Sequence, residues 1–161
     1  MITVAILTVS DGVAAGHRDD LSKTAIEEAL QGGEYEILYR GVVPDEKDKI
    51  AARLTEWCDV NRVDLVLTTG GTGFAPRDVT PEATRSVIER EAPGLGEAMR
   101  AAFVAKIPTS MLSRSIAGIR NRTLIVNMPG SPKACSECME VILPVLPHGI
   151  QLLKGEFGSH G

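Results

Sequence analysis

Residues 63–81 read VDLVLTTGGTGFAPRDVTP. The apolar run at 63–67 predicts a buried strand, the glycines a turn, and Pro81 the start of a helix. Strand, glycine turn and helix start is the arrangement in which proteins present backbone N–H groups to a phosphate. At Gly70, Gly71 and Gly73 no Cβ stands between a ligand and the main chain. Thr69 and Thr72 add hydroxyls, and Arg77 adds a planar guanidinium fork that matches phosphate oxygens. Asp78 works against simple anion binding, because a carboxylate repels a phosphate. A divalent cation between the two, or a hydroxyl donating to the carboxylate, removes the conflict. The turn therefore predicts a site for a phosphorylated ligand with Mg²⁺. It is not a P-loop, since no lysine follows Gly73 at the required spacing. Nor is it the dinucleotide fingerprint, because Pro76 stands where the third glycine belongs.

The same grammar repeats outward from this turn. Residues 2–9 are rich in Val, Ile and Leu and predict a parallel strand, ended by Ser10-Asp11-Gly12 and a polar loop. A helical face spans 21–30 and closes at Gly32-Gly33; a second strand spans 35–43 and ends at Pro44-Asp45. Helices are expected at 46–60, 82–90 and 95–106, the last two split by Pro93-Gly94. Strands at 115–119 and 123–127 flank Arg120-Asn121-Arg122 as a hairpin. Met128-Pro129-Gly130-Ser131-Pro132 is a second glycine/proline turn, leading to helices at 134–143 and 146–153. Residues 1–155 are expected to form one domain and 156–161 a loose tail. The pattern is that of a three-layer α/β/α sandwich with a mostly parallel sheet and one β-hairpin. Ligands of such sheets bind beyond the carboxyl ends of the strands. The loops at 10–11, 44–45, 69–78 and 127–132 would then gather on one edge.

Composition narrows the function. The chain has 161 residues, 43% of them hydrophobic, 4% aromatic, and a net charge of −4, which argues against a nucleic-acid surface. No apolar stretch reaches the roughly 18 residues of a membrane span. The start of the chain enters a strand pattern without a basic leader. Three cysteines point to a reducing compartment, so a cytoplasmic protein is expected.

Within the gathered loops, Asp45 and Asp78 are positioned to share a metal; the plain alternative for each is a helix cap. Asp11 is a weaker candidate of the same kind. Gly130 allows close approach, Ser131 can cap, Pro132 suits a first helical position, and Lys133 supplies charge at an anion-binding helix start. Ser113 and Arg114 offer a hydroxyl and a guanidinium before the hairpin. Cys135 and Cys138 have redox spacing, but that spacing also equals one helical turn and suits core packing.

Taken together, the runs at 68–73 (TTGGTG), 77–82 (RDVTPE) and 127–132 (NMPGSP) resemble the molybdenum cofactor biosynthesis family, which includes Mog-type molybdopterin adenylyltransferases, MoaB-type proteins and the gephyrin G domain. The likeness extends to 8–11, 43–45, 93–100 and 112–114, and so over nearly the whole chain. It implies an α/β/α sandwich, a homo-oligomer (trimer or hexamer), and molybdopterin and ATP as partners. The implied reaction is adenylylation of molybdopterin with Mg²⁺, releasing pyrophosphate. By that resemblance Asp45 and Asp78 take the essential carboxylate positions, as Mg²⁺ ligands or groups orienting the nucleophile. Residues 69–73 would cradle phosphate, while Ser10, Asp11, Ser113 and residues 130–133, beside Pro129, would line the substrate pockets. Lys23 replaces a glycine that many relatives carry in Asp-x-Ser-Gly, which bears on how closely that loop approaches a ligand. Two other readings stand beside the transferase. One is a MoaB-like pterin binder with little or no transfer; the other is a nucleotide-pyrophosphate hydrolase of the competence-damage type.

Overall fold

In the computed structural model, which describes residues 1–156, strand β1 (Ile2–Val9) is apolar because helices cover both of its faces. Ile2, Val4 and Ile6 pack into one core layer, and Ala5, Leu7 and Val9 into the other. This alternation follows from the two-residue period of a strand. β2 (Tyr35–Val43) and β3 (Leu65–Thr69) flank β1 in parallel, and β6 (Thr123–Met128) runs parallel to β3. β5 (Ala117–Arg120) turns back onto β6 as the expected hairpin, and β4 (Arg90–Glu91) pairs antiparallel with β5. The order across the sheet is β2-β1-β3-β6-β5-β4.

One face is covered by α2 (Leu21–Leu30), α5 (Pro93–Phe103), α6 (Pro132–Ile142) and α7 (Leu146–Leu153). The other carries α3 (Lys47–Asp59) and α4 (Thr80–Val87). Cys135 and Cys138 are buried in the first layer, and burial pushes both thiols up to about 11, which suits packing rather than redox work.

Several local expectations shift. A four-residue helix, α1 (Asp11–Ala14), forms inside the expected polar loop, capped by the Ser10 side chain. α4 begins and ends earlier than read, because Ile88 is already extended and the chain turns directly into β4. Pro93 does not break α5 but opens it, a position where its missing N–H costs nothing. A short 3-10 helix, Pro108–Leu112, follows. Most of the expected tail, 157–161, lies outside the described residues.

From β1 the chain crosses to β2 on one side and then to β3 on the other. The switch point between β1 and β3 opens a crevice past their carboxyl ends.

Candidate functional site: two cavities at the switch point

The end of β1 and the turn after β3 meet at the crevice. Gly70 has φ +101°, and a Cβ there would collide with the Val9 carbonyl oxygen. Gly71, at φ +70°, lies beneath the Thr80 hydroxyl and Asp45. Thr80, fully buried at the start of α4, donates from its hydroxyl to Gly70 O (2.9 Å) and from its N–H to Gly71 O (3.1 Å). Asn127 in β6 ties the same helix to the sheet, donating to the hydroxyls of Thr68 (3.0 Å) and Thr84 (2.9 Å). The glycine turn is held from both sides, so its backbone is presented in one shape.

A cavity of about 400 Å³ opens above it. All four expected loops reach it: Ser10 from β1, Asp45 from β2, Thr69 to Gly71 and Asp78 from β3, and Gly130 to Pro132 from β6. Ser131 caps α6, its Oγ accepting the Ala134 N–H (3.2 Å), and Ser10 caps α1 the same way through Val13 (3.2 Å). Both hydroxyls keep a proton to donate, and the positive end of the α6 dipole faces the cavity. Thr69 contributes backbone only, since its hydroxyl donates to Pro129 O (2.6 Å).

Neither aspartate is a helix cap. The caps of α3 and α4 are Glu46 and Val79, without side-chain bonds. Asp45 Oδ2 instead accepts the Asp11 N–H (2.9 Å), and the Asp45 N–H returns to Asp11 Oδ1 (3.0 Å). Asp78 Oδ2 accepts the Ala75 N–H (3.0 Å). Burial pushes the Asp45 carboxyl above its ordinary value, and the neighbouring negative charges of Asp11 and Asp78 push the same way. A cation relieves all three costs. Among the described residues no group of three or more His, Cys, Asp or Glu forms a metal cage. Mg²⁺ is ordinarily held by one or two carboxylates with phosphates and water completing its shell, and Asp45 and Asp78, both in the cavity wall, are a donor pair of that kind.

Arg77 and Asp11 take a different place from that expected. Arg77 donates Nε and Nη2 to Asp11 Oδ2 (2.7 Å) and Oδ1 (2.9 Å), forming a bidentate pair on the outer side of Asp45. That pair holds the Asp11 carboxyl below its ordinary value. Neither residue lines the cavity.

Arg18, Asp19, Asp20 and Ser22 also stand in the cavity wall; the sequence reading set the Asp-x-Ser loop near a ligand but gave none of these four a role. Asp20 caps α2 through the Lys23 N–H (3.3 Å) and accepts the Thr8 hydroxyl (2.6 Å), while Ser22 donates to Gly130 O (2.5 Å). The Asp-x-Ser spacing was the available signal. Lys23 lies along α2 with Nζ 4.0 Å from Glu27, outside the cavity wall. Its side chain therefore takes no space from a ligand there.

A second cavity of about 410 Å³ adjoins the first and shares Ser131 with it. Its walls are mostly apolar: Met99 and Phe103 of α5, Ile107, Leu112, and Cys138 of α6. The predicted residues Thr72, Gly73, Ser113, Pro129 and Lys133 also line it. Ser115 reaches its wall with a buried hydroxyl that finds no hydrogen-bond partner among the described residues. Arg114 lines neither cavity.

Residues 5–148 match the family described as a probable molybdopterin binding domain. The chain is 44% identical over 160 residues to the molybdopterin adenylyltransferase of Helicobacter pylori, covering 97% of this chain and 90% of that one. The solved structure of the molybdopterin biosynthesis enzyme MoaB from Thermus thermophilus is 52% identical, with a TM-score of 0.93, over 96% of this chain and 98% of the other. The Mog protein of Mycobacterium ulcerans follows the same fold at 35% identity and TM-score 0.85, over 95% and 99% of the two chains. The match of residues 5–148 to that family, together with likeness to these proteins along almost the whole chain, places the chain in the molybdopterin-binding family of molybdenum cofactor biosynthesis.

Proposed function

We propose that the protein adenylylates molybdopterin. An oxygen of the pterin's terminal phosphate attacks the α-phosphorus of ATP, the bond from that phosphorus to the bridging β-oxygen breaks, and pyrophosphate leaves. The observation that carries this reading is the juxtaposition of Asp45, Asp78 and the α6 N-terminus in one polar cavity, with an apolar cavity across Ser131. The polar cavity suits the phosphates. The apolar one suits a flat heterocycle, and Lys133 at its wall suits an anionic ligand.

The glycine backbone and the α6 N-terminus bind phosphate oxygens, and Ser10 and Ser131 donate their hydroxyl protons. Asp45 and Asp78 would hold Mg²⁺, which would supply positive charge against the phosphates. The protein's contribution is positioning two polyanions and offsetting their repulsion. The reading extends to a cytoplasmic homo-oligomer, trimer or hexamer. Ile107, Met111 and Leu112 support assembly, being 42%, 63% and 43% exposed beside the apolar cavity. Sedimentation checks it, and a monomer at micromolar concentration counts against it.

The deciding experiment mixes protein, molybdopterin, ATP and Mg²⁺ and separates adenylylated pterin and pyrophosphate by chromatography. More than one product per chain supports the transferase. Bound pterin without product moves the protein to a binding-only role, and the absence of both pterin binding and product reopens the hydrolase.

A further inference from the structure

Arg114 stands behind the turn that carries Asp78. Its backbone N–H donates to Thr72 O (2.8 Å), its Nε to Gly73 O (2.8 Å) and its Nη2 to Asp78 O (2.7 Å). Nη1 donates to Glu82 Oε2 (2.5 Å). Three of these four bonds end on main-chain carbonyls of the segment 72–78, which has no regular secondary structure. The rigid guanidinium thus fixes the spacing between Gly73 and Asp78. The Asp78 carboxylate lies over Gly73, where a Cβ would come within 2.9 Å of Oδ2, and it accepts the Ala75 N–H from the same turn. Carboxylate, turn and guanidinium form one closed unit.

We infer that Arg114 is a positioning residue: it clamps the 72–78 turn so that the Asp78 carboxylate is set for the metal, and it does not bind phosphate. This rests on the reading that Asp78 meets Mg²⁺. A lysine at 114 keeps the charge but cannot span two carbonyls at fixed separation.

Mn²⁺ is the probe, titrated by electron paramagnetic resonance into protein with a non-hydrolysable ATP analogue, so no turnover is needed. Arg114→Lys is expected to weaken Mn²⁺ binding by about ten- to a hundredfold, the usual cost of losing a residue that orients a metal ligand. Binding of the analogue without metal stays as in the wild type. Arg114→Gln, which keeps a neutral NH₂ group as donor, covers the case in which the lysine variant does not fold. Glu82→Gln removes the ion pair but leaves the carbonyl clamp, and is expected to keep wild-type Mn²⁺ affinity. Unchanged Mn²⁺ affinity in the folded Arg114 variants overturns the inference. So does weaker metal-free binding of the analogue, which would make Arg114 a phosphate ligand, or an Mn²⁺ loss in Glu82→Gln equal to that of Arg114→Lys. A wild type that binds no Mn²⁺ with the analogue also overturns it, since there is no metal to set. A wild type that binds Mn²⁺ but makes no adenylylated pterin breaks the transferase reading alone.

Discussion

The two cavities on either side of Ser131 are nearly equal in volume, about 400 and 410 Å³, and opposite in chemistry. The polar one is built from loops at the ends of four parallel strands, so backbone N–H groups, hydroxyls and carboxylates converge there without leaving secondary structure unpaired. The apolar one is built from side chains of α5, α6 and the 3-10 helix between α5 and β5. One cavity is made by where the sheet stops and the other by what the helices leave unfilled. That difference predicts that charge and backbone changes act on the first, side-chain changes on the second, and neither much on its neighbour.

Asp78→Asn is the harshest test of this division. It is expected to lower adenylyl transfer by about a thousandfold or more, because an amide cannot replace the carboxylate at the metal. Circular dichroism and pterin affinity should stay near wild type. Pterin binding that falls in step with turnover would show that the cavities do not divide the ligand between them.

Gly71→Ala comes next. Holding a non-glycine residue at φ +70° costs about 1–2 kcal/mol, and the added methyl group meets the Thr80 hydroxyl and Asp45. A lower melting temperature and loss of nucleotide binding are expected, with the pterin still bound. Unchanged nucleotide affinity would remove the backbone cradle from the reading.

The same difference in construction decided what was legible in the sequence. A sheet buried on both faces writes continuous apolar runs, and the loops closing them, at Ser10, Asp45, Gly70 and Gly130, are punctuated by glycine, proline and aspartate. Hence the five longer strands and the gathering of the polar loops on one edge were readable. Met99, Phe103, Ile107 and Leu112 carry only the ordinary helical pattern of a core face, and nothing local says that they surround an opening. β4, two residues long, is too short to have a period. The partners of Arg77 and Arg114 were hidden for another reason. Asp11 lies 66 residues from Arg77, and Arg114 is held by main-chain carbonyls that every residue type possesses.

The pH response sharpens the comparison within the polar cavity itself. Asp45 keeps its proton to higher pH when folded than when unfolded, because burial and the charges of Asp11 and Asp78 disfavour the carboxylate. Through this group stability falls as pH rises through the folded pKa, and metal binding falls as pH drops through it. Asp11 behaves oppositely. Its pairing with Arg77 contributes above the ordinary carboxylate pKa and is lost as pH falls through the lowered one. At Mn²⁺ well below its Kd, binding should begin to fall at a higher pH than an ordinary aspartate would give. Asp11→Asn should move the Asp45 midpoint down, as read by carboxyl carbon NMR. An upward move would mean that loss of the Arg77 pair also pulls the residue 11 N–H away from Asp45, and that this bond outweighs the charge.

Each cavity also holds one group that weakens the free protein. In the polar cavity it is the Asp45 carboxylate, crowded by like charge. In the apolar cavity it is the Ser115 hydroxyl, 3% exposed and without a partner among the described residues. An unpaired buried hydroxyl costs about 1–3 kcal/mol, so Ser115→Ala is expected to return about 1 kcal/mol. For a domain of this size that raises the melting temperature by about 2–4 °C. Asp45→Asn should also raise it in the absence of metal, by removing a charge that burial disfavours. The two gains should add, since the groups sit in different cavities. They should separate on addition of Mg²⁺ and the non-hydrolysable ATP analogue, which stabilise the Ser115 variant as they do the wild type and leave the Asp45 variant without that further rise. A melting temperature lowered by Ser115→Ala would instead mean that the hydroxyl already has a partner, and that the apolar cavity is better satisfied than its polar neighbour.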